Sequence, residues 1–239
     1  MQLLEGSGVT LHFGGLAAVS DVDFALGRGE VVGLIGPNGA GKTTLFNLIS
    51  GVLVPESGTI RLQGESIGGL KPQAICRRGL ARTFQSVRVF PHLPADANIQ
   101  LAALFGRPGW ISVGEAERET AELLEFVGLT GVRAVPAKDL KLPVQKRLEV
   151  ARALATKPQL LLLDELMAGL NPTEVAEAME LVTRIRGRGV TLFLIEHVMK
   201  AIMGVCDRII VLHHGKKIAE GTPQEIATSR TVIDVYLGE

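Results

Sequence analysis

The stretch Gly36-Pro37-Asn38-Gly39-Ala40-Gly41-Lys42-Thr43-Thr44 constrains this chain more than any other. It reads G-x-x-x-x-G-K-T, the Walker A phosphate-binding loop. Its glycines let the backbone turn and bring successive N–H groups close to a polyphosphate, where a Cβ would block approach. Lys42 can reach β- and γ-phosphates, and the Thr43 hydroxyl can take a Mg²⁺ coordination position. Residues Gly36, Pro37, Asn38, Gly39, Ala40, Gly41, Lys42, Thr43 and Thr44 are therefore the candidate nucleotide-binding loop. The flanks suit it. Glu30 to Ile35 is a short apolar run of buried-strand type, and Lys42 to Ser50 reads as a helix closed by Gly51. Strand, glycine loop and helix N-terminus together make an anion site from backbone dipoles.

A chain of 239 residues can bury a full core as one domain, or as one domain with an insert. Lys plus Arg number 25 and Asp plus Glu 25, so no net field draws it to nucleic acid or anionic lipid, and no nucleic-acid partner is expected. Scarce aromatics with abundant Leu, Val, Ile and Ala suit a parallel sheet buried on both faces. Cys76 and Cys206 lie far apart and read as packing thiols in a reducing compartment. Met1 to Thr10 lacks a basic region followed by an apolar one, so no signal peptide is expected. No apolar run approaches the roughly 20 residues of a membrane span, so any membrane role is expected to run through a partner.

Along the chain, Val9 to Phe13, Val22 to Leu26 and Thr59 to Leu62 read as strands, the last after the turn Pro55-Glu56-Ser57-Gly58. Ala81 to Phe84 is a short extended piece ending at Gln85. The pattern then turns helical: Ala95 to Leu104, Glu115 to Val127 with Gly128 as a stop, and Val144 to Ala155. Leu160 to Leu163 make a buried strand that delivers Asp164 and Glu165 at its C-terminal edge, where open α/β sheets keep their ligands. Asn171-Pro172-Thr173-Glu174 is a helix start with Asn at the N-cap and Pro at N1. Thr191 to Ile195 is a further buried strand before Glu196-His197, and Arg208 to Ala219 reads as a hairpin turning at His213 to Lys216.

Two carboxylates after a buried strand, downstream of Walker A, complete a second motif. Asp164 is a Walker B carboxylate able to hold Mg²⁺ through water. Glu165 is placed to polarise an attacking water as general base. With Gln85, Arg147-Leu148-Glu149-Val150-Ala151-Arg152-Ala153-Leu154, Ala168-Gly169-Leu170-Asn171 and His197, these motifs stand in an order that resembles ATP-binding subunits of ABC transporters, over nearly the whole chain. The resemblance implies an α/β fold: a P-loop NTPase core of ABC type with an antiparallel β-subdomain and an inserted α-helical subdomain. It implies one domain over 1–239, the core at 1–86 and 159–239 and the helical part at 87–158. It implies ATP hydrolysis with Mg²⁺, Phe13 with Val19 at the nucleotide base, Gln85 near Mg²⁺ and the transport partner, and His197 reading the γ-phosphate. Asp164, Thr43 and Gln85 are then the expected metal ligands; Glu165, His197, Gln85 and Lys42 are the expected catalytic groups.

Phe13 to Val19, Arg82-Thr83-Phe84-Gln85 and the tail Val232 to Gly238 resemble, more narrowly, ATPases of branched-chain amino acid importers, and there the larger of two paired ATPases. The implied partners are integral-membrane permease subunits, a second ATPase subunit in a heterodimer or homodimer, and an extracellular or periplasmic solute-binding protein. The implied place is peripheral, on the cytoplasmic face of the membrane. Importers of urea, amides or aromatic acids share these features, and a nucleotide-binding regulatory module with weak hydrolysis is the alternative from another class. Two departures stand out. Leu140-Lys141-Leu142-Pro143-Val144 occupies the place of the signature L-S-G-G-Q, with Lys141 for serine and Pro143 lacking an N–H. Leu166 stands where a proline usually follows the glutamate.

Overall fold

The computed structural model describes residues 2–237. The chain opens with strands β1 (Gln2–Phe13) and β2 (Leu16–Gly27), paired antiparallel. Then come β3 (Val31–Ile35), helix α1 (Lys42–Ile49), strands β4 (Ser57–Leu62) and β5 (Glu65–Ser66), helix α2 (Pro72–Arg77) and β6 (Leu80–Arg82). Helices α3 (Ala95–Phe105), α4 (Val113–Phe126) and α5 (Leu142–Ala155) follow. The second half alternates β7 (Leu160–Asp164), α6 (Pro172–Gly187), β8 (Thr191–Ile195), α7 (Met199–Val205) and β9 (Arg208–His213). It ends with β10 (Lys216–Gly221), α8 (Pro223–Thr228) and α9 (Arg230–Leu237).

Two sheets result. A six-stranded sheet runs β10-β9-β3-β8-β7-β6, parallel except for β10, and a four-stranded antiparallel sheet runs β2-β1-β4-β5. The central strands β3, β7 and β8 are buried at every position and, apart from Gly33, the end residue Asp164 and the first residue Thr191, apolar, because both faces are covered. Val31, Leu161, Leu163, Leu192 and Leu194 face a core shared with α3 to α6. Val32, Leu160, Leu162, Phe193 and Ile195 face the opposite core, shared with α1 and the antiparallel sheet. This is the period of two in a strand, read through both faces of one sheet. Phe193 lies 5.1 Å from the Phe46 ring of α1 and 6.4 Å from Phe24 of β2, so one buried cluster joins both sheets through α1. Burying a side chain of that size contributes about 1.5–3 kcal/mol.

Helices α3, α4 and α5 enter the chain between the adjacent parallel strands β6 and β7. The turn of α6 is capped as its sequence demands. Asn171 accepts from the N–H groups of Thr173 and Glu174, and Glu174 accepts from the N–H of Asn171. At the other end, α9 docks through Val232, which is 6% exposed, while Ile233 and Tyr236 are exposed. Gly238, the last residue of the tail motif, lies outside the described residues. Among the described residues, no helix is long and apolar enough to cross a membrane.

Candidate functional site

The loop between β3 and α1 turns three times through conformations that favour glycine: φ is 151° at Gly36, 77° at Gly39 and 101° at Gly41. Two of these positions have no room for a side chain. A Cβ on Gly36 would stand 2.1 Å from the Leu212 carbonyl oxygen, and one on Gly41 would stand 2.3 Å from that of Ala18. Gly41 is also the N-cap of α1, so the first N–H groups of that helix have no partner within it. The loop lines a cavity of about 560 Å³ together with Phe13, Leu16, Ala17, Ala18, Gln85, Glu165, His197 and His214.

Lys42 folds back into the loop. Its ammonium donates to the carbonyls of Gly36 and Pro37 at 2.6 and 2.9 Å, and the side chain is buried. Burial pulls its pKa below the ordinary lysine range, and the nearby carboxylates of Glu165 and Asp164 oppose that pull. An anion above the loop would restore the balance in favour of the charged amine.

Opposite the loop, three sequence-distant side chains meet. Gln85 donates to one oxygen of Glu165 at 2.9 Å, and the His197 Nε2 lies 3.0 Å from the other. Glu165 sits at φ 53°, a left-handed conformation uncommon for a residue with a side chain. Its backbone N–H donates to the Ile195 carbonyl, which ties the end of β7 to the end of β8.

Asp164 is turned differently. It is 2% exposed, and its Oδ2 accepts from Arg82 at 2.7 Å. Arg82 is fixed in turn by Asn47 and Ser50 of the α1 region and stacks over Phe46 and Phe84. The other oxygen, Oδ1, is buried without a protein partner among the described residues. A buried carboxylate oxygen left in that state costs about 1–3 kcal/mol or more, which a cation or an ordered water would relieve. The oxygen donors of Thr43, Asp164 and Gln85 match the hard-ligand chemistry of Mg²⁺.

Not every expected residue comes to the cavity. Val19 is fully buried in the core below it, and its neighbours Leu16, Ala17 and Ala18 form the wall instead. Phe13 is 52% exposed at the rim, where a planar ligand can stack. Gly36 and Pro37 contribute their carbonyls to Lys42 rather than to the lining. His214, which the sequence places only in a turn, lines the cavity, because the Gly215 N–H bonds to the Ala40 carbonyl and pins the β9–β10 turn to the loop.

The segment Leu140 to Val144 leads into α5, whose helix begins at Leu142. Lys141 is its N-cap, exposed and without a side-chain cap, and Leu142 is exposed. Pro143 has no N–H, and the N–H groups of Val144 and Gln145 both donate to the Lys141 carbonyl at 3.0 Å.

The sequence matches known proteins over its whole length. Residues 19–168 match the family model described as ABC transporter, and residues 216–239 match the one described as branched-chain amino acid ATP-binding cassette transporter. The high-affinity branched-chain amino acid transport ATP-binding protein BraF of Pseudomonas aeruginosa is 44% identical, covering 99% of this chain and 98% of its own. LivG of Escherichia coli, of the same description, is 42% identical with the same coverage. Among solved structures, an ATP-binding cassette of an ABC transporter in its ADP conformation superposes with a TM-score of 0.90, at 27% identity and full coverage of both chains.

Proposed function

From the premise that this chain belongs to the ATP-binding subunits of ABC transporters, we propose that it powers uptake of branched-chain or similar hydrophobic amino acids by hydrolysing ATP. The observation that carries the chemistry is the meeting of Gln85 and His197 on the Glu165 carboxylate, across a cavity from Lys42 and Thr43. Phe13 stacks on the adenine, Lys42 and the loop amides hold the phosphates, and Thr43, Asp164 and Gln85 would hold Mg²⁺. Bound there, the metal would supply charge neutralisation for phosphoryl transfer. Glu165 accepts a proton from the water that attacks the γ-phosphorus as the bond to the bridging oxygen breaks. His197, on the far side of the same carboxylate, orients it and meets the transferring group.

The solute is recognised elsewhere, by permease subunits in the membrane and a solute-binding protein outside it. The chain works at the cytoplasmic face, paired with a second ATPase subunit. Membrane vesicles carrying the assembled transporter should accumulate labelled leucine only with internal ATP. Lys42→Ala should abolish both ATP binding by this chain and the uptake. Undiminished uptake with Lys42→Ala would sink the proposal.

A further inference from the structure

Three residues beyond the proline of the α5 start, a lysine is buried where a solvent-facing charge would be expected. Lys146 is 6% exposed, and its ammonium donates to the carbonyls of Glu165, Leu166 and Ala168 at 3.0, 3.0 and 2.6 Å. An ammonium has three donors, so this one is fully used on a single turn of backbone. That turn leaves β7 through Glu165 in its left-handed conformation. Across the turn, the Met167 N–H donates to Glu196 at 2.8 Å, so the same few residues are held from two sides. Burial raises the Glu196 carboxyl to about 7, and its charge also acts on Lys146.

Leu166 gains a reason here. A proline at 166 would push residue 165 toward the extended region. Leucine permits the left-handed turn at Glu165 and leaves the turn to be fixed by other means. One turn along the same helix, Glu149 accepts from the N–H groups of Phe84 and Arg88, on either side of Gln85. Helix α5 thus grips both backbone segments whose side chains join at the Gln85–Glu165 hydrogen bond.

We propose that Lys146 is a positioning residue for hydrolysis: by binding the carbonyls of the turn 165–168, it holds Glu165 in the conformation that presents its carboxylate to Gln85 and His197. Its effect runs through Glu165, so the inference rests on the general-base assignment above. Because α5 also carries Lys141 and Pro143, the same contact ties that helix start to the chain's own reacting carboxylate.

The test is a graded series, Lys146→Arg, Lys146→Gln and Lys146→Met, in the assembled transporter. Turnover, binding of a fluorescent ATP analogue and thermal stability are measured on each. Turnover should fall along the series as carbonyls lose donors, by about 10- to 100-fold at methionine, the scale of a displaced catalytic group. Nucleotide affinity should stay within about 2-fold, since Lys42 and Thr43 are untouched. In a Glu165→Gln background, Lys146→Gln should remove little of the residual turnover, because its effect passes through the missing base. Should the methionine variant not fold, the glutamine variant decides. Flat turnover across folded variants, affinity falling in step with turnover, or full additivity with Glu165→Gln each overturns the proposal. If Glu165→Gln alone keeps full turnover, the base assignment fails instead, a result separable from the Lys146 series.

Discussion

Two helix starts in this molecule face opposite demands with opposite chemistry. Helix α1 begins at Gly41 after a loop of left-handed glycines, so its first amides stand open beside a cavity, and Lys42 adds a cation. Helix α5 begins at Lys141, and there the amides are largely removed: Pro143 has none, and those of Val144 and Gln145 are spent on the Lys141 carbonyl. Both are α-helix N-termini with the same backbone dipole. What separates them is whether the local residues leave N–H groups available. On the proposed function, two such subunits pair head to tail, so that the first start would serve the chain's own nucleotide and the second, in the place of the signature L-S-G-G-Q, would serve the partner's. On that reading the chain would therefore own a strong half-site and lend a weak one.

The largest expected effect lies in the strong half. Glu165→Gln keeps size and hydrogen bonding while removing the base, so turnover should drop by roughly 10²–10⁴-fold with ATP still bound. Steady-state hydrolysis and equilibrium binding on the same preparation check this. A repair of the weak half should come next. Lys141→Ser with Pro143→Gly restores a hydroxyl and an amide, and a missing oxyanion-type donor costs about 10²–10³ in rate. The repaired chain should therefore speed hydrolysis at the partner's nucleotide by at least several-fold; unchanged turnover would show that Lys141 already serves in the serine's place.

The smallest effect concerns the turn that joins the two. Glu196 is raised by burial from an ordinary 4.5 to about 7 in the folded chain, so the folded state binds its proton more tightly than the unfolded one. Its contribution to stability is fully present below 4.5 and is lost as pH rises through about 7. Glu196→Gln keeps an acceptor for the Met167 N–H and removes the titration. Thermal unfolding followed from about pH 4.5 to about pH 7.5, the span between the unfolded and folded values, should decline less steeply in that variant than in the parent. Parallel slopes would remove Glu196 from the account.

Much of the strong half was legible because its signals are local. The glycine loop, the leucine strand into Asp164 and Glu165, and the Asn171 cap each declare themselves within a few residues. The antiparallel hairpin was harder. Val9 to Phe13 and Val22 to Leu26 caught only parts of β1 and β2, whose register shifts between Gly6 and Val9 and again near Leu11. Such shifts break the alternation of period two. Short helices α2, α7 and α8 carry too few buried positions to show a period. The sequence pattern starts the helix at Val144, but Pro143 already occupies its first turn, where a missing N–H costs nothing to the helix itself.

The buried charges were not legible at all. Lys146, Glu149, Arg82 and Glu196 look like solvent-facing residues in a linear reading. Their partners lie far along the chain: Lys146 spans 19 to 22 residues to its carbonyls, and Arg82 spans 82 to Asp164. Only the sheet order, which sets β7 between β6 and β8, brings those segments together. Val19, expected at the nucleotide base, does not line the cavity. Val19 is buried in the core, and the three residues just before it, Leu16, Ala17 and Ala18, line the cavity.

The imbalance between the two helix starts is tested most directly by single-site hydrolysis in the assembled pair. One preparation carries Glu165→Gln in this chain; the other carries the equivalent substitution in the partner ATPase. If this chain supplies the competent half-site and a poor signature, Glu165→Gln should abolish most ATP turnover and the partner's substitution should cost much less. Equal losses from the two, or full activity of this chain purified alone, would contradict the account.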